Sequence, residues 1–275
     1  MHEQLNETQI EQKINDLRVS IRYHDHRYYV VNLPEVGDSQ YDELMQRLRK
    51  LELDFPQFIV QDSPTQRISV NIATSFSTVS HPEPLLSLSN VFAPDELQLW
   101  LDKAVRQYPE LETNFILEPK IDGLAVSLVY EHGKFVRGAT RGNGQEGEDI
   151  TNNLRTIRGL PLTLERSGAQ TIPDRFEVRG EVYISKTEFK NLNDQRAQEN
   201  SPLYVNLRNT AAGSLRNLDP KITARRNLNV FIYQLGWTES NDLFHSHKET
   251  MEWLTSIGFP TNPLLKTATD VNEIV

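Results

Sequence analysis

Residues 115–142 read FILEPKIDGLAVSLVYEHGKFVRGATRG, and this stretch decides the fold class of the chain. Polar and apolar residues alternate through two runs, which is the period of a β-strand with one buried face. The runs meet at Glu131-His132-Gly133-Lys134, a sequence typical of a hairpin turn. The stretch therefore predicts two adjacent antiparallel strands.

Further strands and helices are predicted on either side of this hairpin. The runs FEVRGEVYI (176–184) and NVFIYQLGW (229–237) indicate two more strands, with helices between them and a last helix around 247–257. An amphipathic helix is predicted over 94–107, and its apolar contacts are expected from Leu97, Leu99, Trp100 and Val105. Antiparallel hairpins interspersed with helices are typical of an α+β domain.

The N-terminal part predicts a hairpin of two helices. The first helix has one apolar face, formed by Ile10, Ile14, Leu17 and Ile21. Asp38 or Ser39 can cap the second helix, with Ser39 and Asp42 as a capping box. Its buried stripe is expected from Tyr41, Leu44, Leu48 and Leu51. Prolines at 56, 64, 82 and 84 place a boundary near residue 72, so we expect domains at 1–72 and 73–275.

Composition excludes several classes of protein. Lys and Arg total 29 against 38 Asp and Glu, and the net charge of -9 argues against coating nucleic acid through bulk positive charge. The absence of cysteine excludes disulfides and zinc-thiolate sites. The sequence has neither a signal-peptide core nor an apolar run long enough for a membrane span. We therefore expect an intracellular, cytoplasmic protein.

The glycines at 142, 144 and 147 have the spacing of a dinucleotide-binding loop. That loop needs a buried parallel strand before it, whereas the strand here alternates and belongs to a hairpin. Three acidic residues between 146 and 149 would also repel a pyrophosphate. We interpret the segment as a tight turn with positive φ at glycine, followed by acids that cap a helix near Ile150. Arg141, just before the turn, could hydrogen-bond a ribose or phosphate.

Lys120 lies between two carboxylates, Glu118 and Asp122, each two residues away. In an extended strand this spacing places all three side chains on one face. Taken alone, the pattern fits a charge ladder on a solvated strand slightly better than it fits a reactive site.

The combination of motifs changes that balance. Glu-x-Lys120-x-Asp-Gly is followed by Ala-Thr-Arg141-Gly and by Glu177-Val-Arg-Gly-Glu181, and together they resemble the nucleotidyltransferase motifs of DNA ligases and capping enzymes. DSQYD (38–42), SLSNVF (87–92) and NLRNTAAGSLRNLDP (206–220) are similar to bacterial NAD-dependent DNA ligases. The resemblance extends along essentially all 275 residues.

The resemblance implies that Lys120 attacks the α-phosphorus of NAD, keeps AMP and releases nicotinamide mononucleotide (NMN). This would be the first step in sealing nicks during DNA replication and repair. An amine is mostly protonated at neutral pH, so attack requires loss of a proton in the bound complex. Nearby carboxylates raise the pKa of the lysine and so hinder loss of the proton. A metal ion, expected to be Mg²⁺, and burial under the adenosine are expected to lower that pKa.

The resemblance also assigns the nucleotide contacts. Glu118 would lie beside the adenine, Arg141 and Glu181 would bond the ribose region, and Tyr233 could stack on the base. The remaining residues implied at the adenosine site are Ser87, Leu88, Asp122 and Gly123, the last allowing a turn where a side chain would collide with the nucleotide. Alone, Tyr233 would suit a core, and Glu181 would suit a surface strand.

In the helical hairpin the resemblance implies a site for the flat, cationic nicotinamide ring, which aromatic faces and carboxylates suit. The residues implied there are Tyr28, Tyr29, Asp38, Ser39, Gln40, Tyr41 and Asp42. By themselves, the tyrosines could simply hold the two helices together.

A local basic stretch, 205–229, has five Lys or Arg residues and a single acid. Arg208 and Arg216 are the candidates for DNA phosphate contacts, and a solvated basic face is an equally good reading. The pairs His24 with His26 and His245 with His247 lack the further ligands of a zinc site, so we interpret them as surface residues. The metal ligands stay unassigned.

The family pattern continues beyond residue 275. Its later adenylation motifs, its oligonucleotide-binding barrel and its zinc module are expected outside this sequence. We therefore expect an adenylation domain of ATP-grasp-like ligase type truncated at its C-terminal end, in a monomer that does not seal nicks by itself. Two alternatives remain: a Schiff-base lysine enzyme, and a non-catalytic NAD- or DNA-binding module.

Overall fold

The computed structural model describes residues 6–31, 33–67, 74–110, 114–164, 171–240 and 243–275. The boundary expected near residue 72 lies outside these residues. Within them, no helix combines the length and hydropathy needed to cross a membrane.

The described residues form a mixture of helices and short and long strands. The helices are α1 Glu7–Asp25, α2 Asp38–Asp54, α3 Pro94–Gln107, α4 Thr151–Leu154, α5 Lys186–Gln198, α6 Leu207–Leu215, α7 Pro220–Ala224, α8 His247–Ser256 and α9 Val271–Ile274. The strands are β1 Thr78–Ser80, β2 Phe115–Leu117, β3 Leu124–Glu131, β4 Lys134–Thr140, β5 Glu146–Glu148, β6 Arg175–Tyr183, β7 Asn229–Thr238 and β8 Lys266–Ala268.

A four-stranded antiparallel sheet lies at the centre, in the order β4-β3-β6-β7. The hairpin prediction is confirmed: β3 and β4 pair through a turn in which His132 and Gly133 have φ of 49° and 75°. Both central residues of that turn are left-handed, as a two-residue hairpin turn of type I′ requires. Small antiparallel sheets form from β1 with β5 and from β2 with β8. The predicted α+β class is therefore confirmed at this level.

The core covers one face of the central sheet. Tyr130 stacks on Phe176 with 5.6 Å between ring centroids and meets Phe259 edge-on at 5.1 Å. Its hydroxyl donates to the carbonyl oxygen of Pro161 at 2.6 Å, so its polar end is satisfied inside the core. Trp253 of α8 contacts the same cluster. Alternate residues of β6 point the other way, toward the cleft described below.

The N-terminal helices pack as the periodicity predicts. The four apolar residues of α1 are buried against Leu48 of α2, while Tyr41, Leu44 and Leu51 pack at the margin of this cluster. The prediction of Asp38 or Ser39 as the N-cap was wrong, because Gly37 is the N-cap and α2 begins at Asp38. The Gly37 N–H donates to Oε1 of Gln40 at 3.2 Å, so the capping side chain comes from Gln40 and not from Asp42.

Helix α3 has the predicted bounds but not the predicted contacts. Leu99 and Trp100 are 66% and 50% exposed, and Val105 is also exposed. Leu97 is half-buried and Leu101, four residues later, is the residue that α3 buries. Leu97 and Leu101 are four residues apart and therefore lie on the same face of the helix. The exposed Leu99 and Trp100 lie off that face.

An ion pair is buried between the helices of the N-terminal hairpin. Arg18 and Glu52 are 4% and 2% exposed, and Nη2 of Arg18 donates to Oε1 of Glu52 at 2.6 Å. Arg18 also donates to the carbonyl oxygen of Phe58 at 2.6 Å, and Ser63 donates to Glu52 at 2.7 Å. Each charge is thus compensated by the other and by further hydrogen bonds.

Replacing Arg18 with Met should destabilise the chain by about 3–5 kcal/mol, because the Glu52 carboxylate would stay buried without its partner. Urea unfolding monitored by circular dichroism measures this loss. Arg49→Met, at an exposed position of α2, is the control and should change the unfolding free energy by about 0.5 kcal/mol or less. Equal losses in the two variants would contradict the assignment.

Candidate active site

A cleft of about 1040 Å³ lies on the face of the sheet opposite the core. It is bounded by the loop after β2, the segment 85–90, the turn after β4, and residues of β6 and β7. The candidate residues that it brings together are Ser87, Leu88, Glu118, Lys120, Arg141, Glu181, Arg208, Arg216 and Tyr233. Asp122 and Gly123 belong to the same loop as Lys120.

The Lys120 segment is a loop and not a strand, which corrects the argument from side-chain alternation. β2 ends at Leu117 and β3 begins at Leu124, so residues 118–123 lie between them. Lys120 is exposed, and it lines the cleft. An alternating polar pattern in a short loop looks the same as one in a strand, and only the pairing distinguishes them.

Gly123 is required by its contact with β6. A Cβ atom there would lie 2.1 Å from the carbonyl oxygen of Val182, which no side chain can tolerate without movement of the backbone. The Gly123 N–H donates to Oε1 of Glu181 at 3.1 Å. Strand β6 therefore excludes a side chain at Gly123. The expected collision with a nucleotide at this position stays a prediction.

Glu181 and Tyr233 are both half-buried and line the same cleft. Burial raises the pKa of Glu181, while the Gly123 N–H and the positive charge of Lys120 oppose the rise. Burial and the nearby Glu181 raise the pKa of Tyr233 to about 12. The phenol therefore stays neutral at physiological pH and offers a flat, uncharged ring at the cleft wall.

Arg179 fixes another wall of the cleft, a role that sequence reasoning did not assign. Its Nε donates to Oε1 of the fully buried Glu177 at 2.8 Å. The same guanidinium donates to the carbonyl oxygens of Glu83 at 3.0 Å and Pro84 at 3.2 Å. Arg179 thereby anchors the chain just before Ser87 and Leu88. The sequence signal for this role was the pair Glu177 and Arg179, two charged residues that alternate with apolar residues along a buried strand.

The glycine segment after β4 is a turn, as predicted. Gly142 and Gly144 have φ of 56° and 96°, and the chain reverses into β5, which pairs with β1. A Cβ at Gly142 would lie 1.9 Å from the carbonyl oxygen of Glu146. Of the three acids, Asp149 accepts from the Thr151 N–H at 3.0 Å at the start of α4, whereas Glu146 and Glu148 lie in β5.

The two arginines proposed to contact DNA lie at the cleft rim and are paired with acids. Arg216 donates from Nη2 to Oε1 of Glu148 at 2.7 Å, and this hydrogen bond lowers the pKa of the Glu148 carboxyl. Nη1 of Arg208 lies 3.8 Å from Oδ1 of Asp122, and both of these side chains are exposed.

His247 is exposed, as expected of a surface residue, and it also lines the cleft. Its Nε2 lies 3.1 Å from Oε2 of Glu118, 129 positions away in the sequence. Histidine spacing gives no indication of such a contact. Among the described residues, no group of three or more His, Asp or Glu side chains is arranged to hold a metal ion.

A second pocket, of about 330 Å³, lies at the open end of the helical hairpin. Tyr28, Tyr29, Tyr41 and Asp42 line it together with His24 and with Arg158 from the following part of the chain. The Tyr28 and Tyr29 ring centroids are 4.7 Å apart. Ser39 and Gln40 lie on α2 outside the lining of this pocket, and of Asp38 only the backbone is described.

Hydrogen bonds hold the rings of this pocket. The Tyr41 hydroxyl donates to Oδ1 of Asp25 at 2.7 Å, and burial, followed by the Asp25 charge, raises the pKa of Tyr41. Arg158 donates to the Tyr29 hydroxyl at 2.8 Å, which links the pocket to the remainder of the chain. The pocket shares no lining residue with the cleft around Lys120.

Comparison with known families matches both parts of the chain. The model of the NAD-dependent DNA ligase adenylation domain matches residues 73–275, and that of the DNA ligase-like N-terminal NAD⁺-binding domain matches residues 7–69. The chain belongs to the NAD-dependent DNA ligase family.

Relatives named DNA ligase align with almost the whole chain. The protein from Dehalococcoides mccartyi is 46% identical over 261 residues, covering 95% of this chain and 38% of the relative. That from Carboxydothermus hydrogenoformans is 45% identical over 267 residues, covering 97% and 39%. That from Chloroflexus aggregans is 44% identical over 279 residues, covering 98% and 41%. The chain thus spans about two fifths of the length of these ligases.

Replacing Gly123 with Ala should destabilise the chain by about 1–3 kcal/mol, because β3 and β6 must separate to admit the methyl group. The unfolding free energy in urea measures the effect. Gly213→Ala is the matched control, since a Cβ at Gly213 meets nothing within 4 Å. In helix α6 that substitution should stabilise by up to about 1 kcal/mol. Destabilisation by both substitutions would contradict the close-approach argument.

Replacing Glu181 with Gln should stabilise the chain at pH 7 by less than about 1 kcal/mol, because water screens the half-buried carboxylate. The raised pKa of Glu181 means that the folded state prefers the protonated carboxyl, so ionisation at neutral pH opposes folding. The advantage of Gln should shrink as pH falls and Glu181 itself becomes protonated. Unfolding measured at pH 7 and pH 4 tests the sign, with exposed Glu110→Gln as the control. A gain that stays constant with pH would contradict it.

Proposed function

We propose that this chain is the adenylation region of an NAD-dependent DNA ligase and that Lys120 is its nucleophile. The observation that carries the proposal is convergence: Glu118, Lys120, Arg141, Glu181 and Tyr233 come from four separate segments and line one cleft of about 1040 Å³. A single motif can arise by chance, whereas convergence from distant segments requires the fold.

The reaction forms one bond and breaks another at the same phosphorus. The uncharged Nζ of Lys120 adds its lone pair to the α-phosphorus of NAD, and the P–O bond to NMN breaks with its electron pair leaving on NMN. The ammonium group must lose one proton before the attack, and the nitrogen loses a second proton, to water or to the departing NMN phosphate, as the phosphoramidate forms. The product is a phosphoramidate between Lys120 and AMP, which serves the later steps of nick sealing in replication and repair.

Within the cleft each side chain has a proposed role in binding. Glu181 accepts a hydrogen bond from the ribose, with Arg141 beside it, and the neutral ring of Tyr233 stacks on the adenine. Glu118 lies beside the base edge, and Ser87 and Leu88 line the pocket. Asp122 and Gly123 complete the loop that holds Lys120.

Mg²⁺ is the proposed metal partner, and it would neutralise the phosphate charge. No residue of this chain is assigned as a ligand. Zn²⁺ is proposed only for the part of the whole ligase beyond this chain.

Residues 1–72 are proposed as a helical module that binds the NMN half of NAD, and residues 73–275 as an adenylation domain of ATP-grasp-like ligase type. The support is the second pocket, where Tyr28, Tyr29 and Tyr41 offer aromatic faces and Asp42 offers a carboxylate. A flat cation such as nicotinamide suits both kinds of group. Asp38, Ser39 and Gln40 open α2 next to this pocket.

Nicked duplex DNA is the proposed partner of the full-length protein, acting as a monomer in the bacterial cytosol at the nucleoid. Arg208 and Arg216 are the proposed phosphate contacts. Both are paired with acids at the cleft rim, so DNA phosphates would have to replace Asp122 and Glu148 as their partners.

Incubation of the chain, and of its full-length parent, with NAD and Mg²⁺ followed by intact-mass measurement tests this function. We expect the mass to increase by one adenylyl group in the parent, and Lys120→Ala to abolish the gain completely. Lys103→Ala, at an exposed position of α3, is the control and should react like the wild type. Transfer from ATP in place of NAD, or an adduct that survives in Lys120→Ala, would refute the proposal.

A further inference from the structure

The side chain of Glu118 has one hydrogen-bond partner in the described part of the chain, and that partner is His247. Nε2 of the imidazole lies 3.1 Å from Oε2 of the carboxylate. Both side chains line the cleft that contains Lys120, and Glu118 precedes Lys120 by two residues. The pair therefore joins the loop that carries the lysine to the beginning of α8.

The two ends of this contact differ in how firmly the fold holds them. His247 is the first residue of α8, whose N-cap Ser246 accepts from the Glu249 N–H at 3.2 Å. Met251, Trp253 and Leu254 bury the same helix in the main core. Glu118, in contrast, lies in an irregular loop. The hydrogen bond thus fixes a loop carboxylate against an element that the core holds in place.

We infer that His247 is a positioning residue that aims the Glu118 carboxylate at the exocyclic amino group of the purine and so selects adenine. The inference rests on the proposed function of the cleft. An imidazole N–H that occupies Oε2 leaves Oε1 with free lone pairs. The contact also favours the tautomer of a neutral His247 that carries its proton on Nε2.

Selectivity follows from the chemistry of the base edge. Adenine presents an amino group, which donates to a carboxylate, whereas hypoxanthine presents a carbonyl oxygen at the same position. A carboxylate held in place rejects the carbonyl, because two acceptors then face each other without a proton between them. A carboxylate free to rotate can turn away, so it would discriminate less.

Calorimetric titration of the 275-residue chain with AMP, IMP and NMN tests the inference. The wild type should prefer AMP to IMP. His247→Ala should weaken AMP binding about fivefold to tenfold, because the carboxylate is no longer held toward the amino group. It should strengthen IMP binding slightly, because the freed carboxylate can turn away from the carbonyl oxygen. His247→Gln should recover most of the preference, because its amide N–H can reach the same oxygen.

Two controls distinguish positioning from a general structural effect. His245→Ala alters the exposed histidine two residues earlier and should keep the wild-type preference. NMN affinity should be unchanged in every variant, since the pocket of the helical hairpin shares no residue with the cleft. Combining His247→Ala with Glu118→Gln should add little to the loss from Glu118→Gln alone.

Equal losses for AMP and IMP in His247→Ala, or an unchanged AMP preference, would overturn the inference and leave the proposed function standing. A wild-type chain that binds NMN but no adenine nucleotide would overturn both.

Discussion

The close approach of β3 to β6 at Gly123 is the constraint on which the arrangement of the cleft depends. With no Cβ at this position, the start of β3 comes into contact with the carbonyl group of Val182, and the Gly123 N–H reaches Glu181. The loop that holds Lys120 is tied down at that end. Its other end follows β2, whose pairing with β8 brings in the last part of the described chain.

Strand β6 connects the core and the cleft through its alternation. Phe176, Val178 and Val182 are buried in the core, while Glu177, Arg179 and Glu181 point to the opposite face. Arg179 connects this second face to the segment before Ser87, since its guanidinium donates both to Glu177 and to the carbonyl groups of that segment. Strand β6 therefore contributes to the core on one face, lines the cleft on the other, and anchors the segment before Ser87.

The sequence predicted the long strands and helices because their signals are local. Period-two alternation and the turn residues at 132–133, which adopt left-handed conformations, are enough to predict that β3 and β4 form a hairpin. Strands β1 and β5 escaped prediction because each has three residues and they pair across about seventy positions. The exposure of Leu99 and Trp100 was missed because periodicity defines the faces of a helix without stating which face another element covers.

The candidate site followed from motif resemblance more than from geometry. Alternation placed Glu118, Lys120 and Asp122 on a strand, whereas they form a loop whose shape depends on Gly123 and β6. The contact of His247 with Glu118 joins residues 129 positions apart, and no local pattern encodes it. The role of Arg179 could not be predicted from the motif that contains it, because that role depends on the path of the backbone at residues 83 and 84.

The cleft face of β6 contains a buried and a half-buried carboxylate, whose positions are fixed by hydrogen bonds. Glu177 is fully buried, and its Oε2 has no hydrogen-bond partner among the described residues, while Glu181 is half-buried with a raised pKa. Either carboxylate would be easier to accommodate as an apolar residue if stability alone mattered. Both are held by donors that come from elsewhere, Arg179 for one and the Gly123 N–H for the other. The apolar face of the same strand supplies the burial that offsets this unfavourable desolvation, which is why charge and core occur on one strand.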